Sequence, residues 1–124
     1  MGVVSGKRSR HKGARGELRV RDVYRRHGFD CRRNFGSGSQ GMGDLIGNDM
    51  PVVPEVKNTE RVTLWPWVEQ AQSGIRPPYG EDEWCLHITG NNRPYVVVID
   101  EAYFMRLLVD SRNVQRALLP EELR

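Results

Sequence analysis

The residues with chemistry to offer lie between Gly43 and Lys57, in the stretch GDLIGNDMPVVPEVK. Asp44 opens a short apolar run, Asn48-Asp49 marks a turn, and a second run ends in Glu55-Val56-Lys57. Both turn residues tolerate positive φ, which predicts a hairpin. Side chains alternate along a strand, so Glu55 and Lys57 share one face while Val56 points to the other. Folding back at the turn brings Asp44 beside that pair. Two carboxylates and an ammonium on one sheet face can hold a divalent metal and aim a water. The plainer reading is an exposed Glu55–Lys57 ion pair worth ~0–1 kcal/mol, with Asp44 capping a turn.

The flanking elements must position these groups. Gly13 to His27 reads as a helix with an imperfect apolar stripe of Ala14, Leu18, Val20, Val23 and Tyr24, stopped by Gly28. Glu17 lies at the inner edge of that stripe, either as a snorkelling surface residue or as an inward charge. Phe29, Cys31, Arg33 and Phe35 alternate as in a strand. Gly36 to Gly43 is a Gly/Ser loop just before Asp44. It is a plain linker, or its amides and the Ser37 and Ser39 hydroxyls meet a phosphate. Pro54 lacks an N–H, so the second run is open on that side or irregularly paired.

Thr63 to Gln72 reads as a helix with Pro66 in its first turn and Gly74 at its end. Its Trp65 and Trp67 read as core or interface anchors. Trp84–Thr89 and Tyr95–Ile99 flank a turn and predict a second hairpin. Asp100 caps a helix from Glu101 through Val109, and Ser111 to Arg124 adds a short amphipathic helix or frays. Helix, three strands, helix, two strands, helix predicts an α/β sandwich with a mixed sheet.

At 124 residues, 38% of them hydrophobic and 28% charged, the chain has the size of a single domain. No apolar run approaches the ~20 residues of a membrane span, and the N-terminus has no signal-peptide core. Cys31 and Cys85 lie far apart, and His11, His27 and His87 form no cluster with them, so zinc is not expected. Reduced, buried thiols predict a cytoplasmic protein. The charge is uneven. Residues 1–33 hold eleven Lys and Arg against three Asp and Glu, while the remainder is net acidic. Residues 1–12 read as a basic, flexible arm on a single domain spanning 13–124. An Arg-rich N-terminal quarter is the footprint of a polyanion partner, with Lys7, Arg8, Arg10, Lys12 and Arg15 as candidate phosphate contacts.

Helix-borne Glu17, then Gly43-Asp44, then Glu55-Val56-Lys57 resembles the PD-(D/E)XK nuclease superfamily, and within it archaeal-type and phage Holliday-junction resolvases. The likeness runs from about Lys12 to Gln72, and Asn91-Asn92-Arg93-Pro94 also looks like phage members. Gly43 stands where the family's name-giving proline would be, and Pro54 directly precedes Glu55. The resemblance implies a restriction-endonuclease-like fold, with a central mixed β-sheet flanked by helices. It also implies a homodimeric, metal-dependent DNA endonuclease that resolves four-way junctions in DNA recombination, in a bacterial or phage-infected cell. Asp44 and Glu55 would then be metal ligands, helped by the Val56 carbonyl. Glu17 would complete the acidic site, Lys57 would activate the water, and Gln70 would be a polar site residue.

Hydrolysing a phosphodiester requires delivering hydroxide to an anion and stabilising further negative charge. Mg²⁺ or Mn²⁺ on hard carboxylates serves both needs. Two rivals remain at this stage: another nuclease of the same superfamily acting on DNA ends, nicks or damage, and a non-catalytic nucleic-acid-binding module.

Overall fold

The run Trp84–Thr89 (WCLHIT) alternates large apolar Trp84, Leu86 and Ile88 with the small or half-polar Cys85, His87 and Thr89 and carries no charged residue, which suits a strand enclosed between two layers. In the computed structural model, which describes residues 2–36 and 42–124 with side chains from residue 10 onward, it does form the central strand of a three-stranded sheet. The elements in chain order are α1 (Gly2–Arg26), β1 (Arg32–Arg33), β2 (Leu45–Ile46), β3 (Val53–Asn58), α2 (Leu64–Ser73), β4 (Trp84–Thr89), β5 (Val96–Ile99) and α3 (Glu101–Ala117), ending in a 3-10 turn at Glu121–Leu123. The order of the sheet is β3-β4-β5, parallel between β3 and β4 and antiparallel between β4 and β5. A small second sheet pairs β1 with β2 antiparallel. The protein is thus mixed α/β, as its element order predicts. Among the described residues no helix is long and apolar enough to cross a membrane.

Each face of the sheet carries a helix. Val56 packs with Val20 of α1, Cys31, Leu45 and Met50, so α1 covers that face. Trp84, Leu86 and Ile88 pack with Val68 and Ala71, so α2 covers the other. Glu55 stands opposite Leu86 and Lys57 opposite Ile88 in the parallel register, which puts both on the α2 face. α1 lies close enough to β3 that a Cβ at Gly16 would meet Asn58 Cβ at 3.0 Å and Val56 Cγ1 at 3.3 Å.

Several boundaries differ from the sequence reading. α1 begins at Gly2, so the backbone of residues 2–12, read as a flexible arm, is helical. Asn58 Nδ2 donates to Lys12 O at 2.9 Å, and Lys12 Nζ pairs with Glu60 at 2.9 Å. A helix already nucleated extends by one hydrogen bond for each further residue fixed. The strand foreseen over 29–35 is reduced to Arg32–Arg33. Phe29 N–H donates to Tyr24 O and Cys31 O accepts from Arg25 Nε, so the end of α1 has taken their hydrogen bonds. Cys31 is buried, but Phe35, foreseen on the same face, is 84% exposed. Helix α3 runs unbroken to Ala117 from its Asp100 cap, whose Oδ1 accepts from Ala102 N–H at 2.8 Å. It touches the body chiefly through buried Tyr103 and an Arg106–Asp82 pair at 2.5 Å. Phe104, Leu107, Leu108, Val114 and Leu118 remain exposed.

Candidate active site

The site is assembled at the edge of β3 that faces away from β4. Val53 N–H donates to Glu83 O, toward β4, so the backbone groups of Pro54 and Val56 face outward. The missing N–H of Pro54 therefore falls on the outer edge and breaks no bond to β4. On that edge Asp44 N–H donates to Pro54 O at 2.9 Å, and Val56 N–H donates to Asp44 Oδ2 at 2.7 Å. The carboxylate of Asp44 thus does what a strand carbonyl would do. N–H and C=O of one strand residue point to the same side, so the Val56 carbonyl shares this edge.

Gly43 explains how Asp44 comes so near. It holds φ +71°, and a Cβ there would meet Pro54 O at 2.6 Å and Val53 Cγ1 at 2.7 Å. Gly43 and Pro54 therefore lie against each other. The turn at Asn48-Asp49 exists, but neither residue takes positive φ. It is pinned instead to Asp30, whose Oδ2 accepts from Asn48 N–H at 3.2 Å and whose N–H donates to Asp49 Oδ1 at 3.0 Å. β2 therefore pairs with β1, and no hairpin ladder joins it to β3; Asp44 makes that connection.

Glu55 is buried at 5% exposure, and its Oε2 has no hydrogen-bond partner. Burial is the largest cause that pushes its carboxyl up to about 8. Asp44 raises it further by charge and hydrogen bonding, Lys57 opposes, and Glu17 adds a smaller repulsion. A desolvated carboxyl beside a second carboxylate holds a proton near neutral pH unless a cation replaces it. Lys57 Nζ donates to Gln70 Oε1 at 2.7 Å and lies 5.8 Å from the ring centre of Trp67. Glu17 arrives from α1, where its Oε2 accepts from Arg33 Nε at 2.7 Å. Asn34 N–H donates to Asp44 O at 2.9 Å, and its Nδ2 donates to Gly43 O at 3.2 Å.

The structure therefore brings Asp44, Glu55 and the edge carrying the Val56 carbonyl together, with Lys57 and Gln70 joined alongside. Glu17 reaches Glu55 by charge while bonded to Arg33. Among the described residues no three His, Cys, Asp or Glu side chains are gathered as around a bound ion. The oxygen donors nonetheless suit a hard divalent cation, and the unpartnered Glu55 Oε2 is a buried acceptor in want of one. Arg33, Asn34 and Trp67 are contributors the sequence reading left out. Nothing local marks them, because each acts through a residue distant in the chain.

Of the candidate phosphate contacts, Arg10 and Arg15 are exposed. Lys12 is not free, being paired with Glu60 and only 19% exposed at its side chain. The side chains of Lys7 and Arg8, and Ser37 and Ser39 altogether, lie outside the described residues. A cleft of about 640 Å³ lined by Lys12, Lys57, Asn58, Arg61 and Trp67 opens beside the site. Compared with known protein families, curated proteins and solved structures, the chain matches none.

Proposed function

We propose that this chain is a metal-dependent DNA endonuclease of restriction-endonuclease-like fold, acting on branched DNA and above all on four-way junctions. The observation that carries the reading is the Asp44–Glu55 pair at the open edge of β3, with a buried, unpartnered Glu55 oxygen. Asp44, Glu55 and the Val56 carbonyl would hold Mg²⁺ or Mn²⁺. That ion supplies Lewis acidity, lowering the pKa of a water and offsetting charge on the phosphate. Lys57, held by Gln70, presents N–H donors that orient the attacking water or a phosphate oxygen. The water oxygen bonds to phosphorus as the water gives up a proton to solvent, the bond to the leaving sugar oxygen breaks, and that oxygen takes a proton from solvent to leave as the alcohol.

Exposed Arg10 and Arg15 of α1, and Arg61 in the cleft, would supply phosphate contacts. Such contacts follow backbone shape and read little sequence. A two-fold dimer supplies the paired cuts that a four-way junction needs, and the exposed apolar face of α3 offers it a surface. Two free, buried cysteines accord with a reducing, cytoplasmic setting.

The test is cleavage of a labelled four-way junction and a matched duplex, with Mg²⁺ or with EDTA. Symmetric Mg²⁺-dependent nicks near the branch are expected. Cleavage confined to duplex ends or nicks would reassign the substrate, and binding without cleavage would make the chain a nucleic-acid-binding module.

A further inference from the structure

Phe35 is the most exposed large apolar side chain among the described residues, at 84%, and it does not stand on an unrelated surface. It follows Asn34, whose N–H donates to Asp44 O at 2.9 Å, so its backbone is one residue from a direct bond to the site. The Arg33 guanidinium lies over one face of its ring, 4.7 Å from the centroid. That guanidinium is itself anchored by Glu17 at 2.7 Å. The chain Glu17–Arg33–Phe35 thus joins the acidic site to an aromatic ring with one face backed by a cation and the rest open to solvent.

The guanidinium is held on one face of the ring by the ring quadrupole, which leaves the opposite face free for a second flat π-system. The chemical partner that fits an open aromatic face beside a phosphate-directed site is a nucleobase. In duplex DNA the bases are stacked on one another and out of reach. They become available where strands part, at a fork or a single-stranded end, and at a four-way junction where the pairs next to the crossover open.

We propose that Phe35 is a stacking platform for an unpaired nucleobase next to the phosphate addressed by Asp44 and Glu55, a role that rests on the nuclease reading above. Phe35 then selects DNA in which a base has left the helix stack, and Arg33 holds the ring at the right distance from the site. Selectivity for branched over linear DNA would thereby arise in one subunit, apart from any dimer geometry.

The experiment compares wild type, Phe35→Leu and Phe35→Trp in EDTA. The probes are a forked duplex with 2-aminopurine at its first unpaired position and a blunt duplex of equal length. Stacking on an aromatic side chain predicts a roughly five- to hundredfold loss of fork affinity in Phe35→Leu, with duplex affinity unchanged. The 2-aminopurine signal should change on binding wild type and Phe35→Trp, and not on binding Phe35→Leu. Leu is apolar and exposed here, so a folding defect is not a confounder. Equal fork affinity for Leu and Phe, or an equal loss on both DNAs, overturns the proposal. Parallel Mg²⁺ reactions separate the two readings. Cleavage that survives with an indifferent Phe35→Leu defeats only the stacking role, whereas a wild type that neither cleaves nor prefers the fork defeats both.

Discussion

Asp44 Oδ2 takes the N–H of Val56 at 2.7 Å, so one candidate ligand is locked to the residue that follows the other, Glu55. Twelve residues of chain separate them, yet their relative position is set by a single strand edge. A carboxylate used in this way is structural and chemical at once, and the two roles can be separated by substitution. Asp44→Asn keeps an oxygen acceptor for Val56 N–H and removes the charge. The expected outcome is a near-native melting temperature, near-native DNA affinity, and Mg²⁺-dependent cleavage reduced by roughly a hundredfold or more. Asp44→Ala should in addition lose about 1–3 kcal/mol of stability, because a backbone N–H is left unpaired. Single-turnover cleavage and thermal melts of both variants check this. Full activity in Asp44→Asn would remove Asp44 from the chemistry.

Glu55 predicts an unusual pH dependence of stability without metal. Its folded-state pKa, about 8, lies above the ordinary 4.5 because burial and Asp44 disfavour the anion. The folded protein therefore binds this proton more tightly than the unfolded chain does. The stabilisation is fully present below about pH 4.5 and is lost as pH rises toward 8. In EDTA the melting temperature should fall across that window, and Glu55→Gln should flatten the fall. Mg²⁺ should restore stability most at the alkaline end, where it meets an ionised pair. Melts from pH 5 to 9, with and without Mg²⁺, test the sign. A wild-type profile that rises across the window contradicts it.

Lys57 and Gln70 are joined at 2.7 Å, and the ammonium also borders the face of Trp67. Lys57→Ala should slow the single-turnover step by roughly a hundredfold while junction affinity stays within a few-fold. Gln70→Ala should have a smaller effect in the same direction, since it frees the ammonium without removing it. A loss confined to affinity would reassign Lys57 to phosphate positioning.

Local signals in the sequence carried a good part of this arrangement. Gly28 and Gly74 mark helix ends and Asp100 marks a start, because caps are read within a turn of chain. Glu55 and Lys57 share a face because strand periodicity is local. The sequence predicts both the turn and the place of Asp44 beside Glu55, but the hairpin expected to join them does not form: Asp44 is placed by its own bonds to Pro54 O and Val56 N–H. The turn is fastened by Asp30, a contact between residues 18 or more apart that no local pattern encodes. Phe35 shows the same limit. Its alternation with Cys31 puts both on one strand face, but the end of α1 bonds Phe29 and Cys31, the strand is only Arg32–Arg33, and Asn34 beyond it is bonded to Asp44 and Gly43.

Paired and unpaired cations should separate in salt titrations. Lys12 is held by Glu60, so Lys12→Ala should leave the log–log slope of DNA affinity against salt unchanged. Deleting residues 1–11 removes Lys7, Arg8 and Arg10, and if all three meet B-form phosphates the slope falls by up to ~3. Affinities measured between 50 and 300 mM salt on one junction decide it. An unchanged slope after the deletion would leave this segment without a role in DNA binding.

The last prediction concerns α3. Of its 17 residues only Tyr103 is buried, while Phe104, Leu107 and Val114, and Leu118 at its C-cap, lie 46%, 44%, 59% and 81% exposed. Their spacing places them along one helical stripe, with Ser111 at its middle. A helix of this length runs about 25 Å, yet it is tied to the body mainly at its first turns. Most helical stability in proteins comes from packing an apolar face, so the apolar stripe calls for a cover. A stable pairing of two copies through these stripes needs on the order of 1,000 Å² or more buried in total. Trp65 is also exposed but stands on α2, apart from this stripe. The expected result is a two-chain mass in sedimentation for wild type and for Trp65→Ala, and a one-chain mass for Leu107→Asp/Leu118→Asp. That double variant should still nick junctions with Mg²⁺ but lose the coupling between opposed cuts. Neither substituted residue touches the acidic site, so surviving nicking is the control for folding. A wild type that sediments as one chain at micromolar concentration, both free and on a junction, would defeat the α3 dimer.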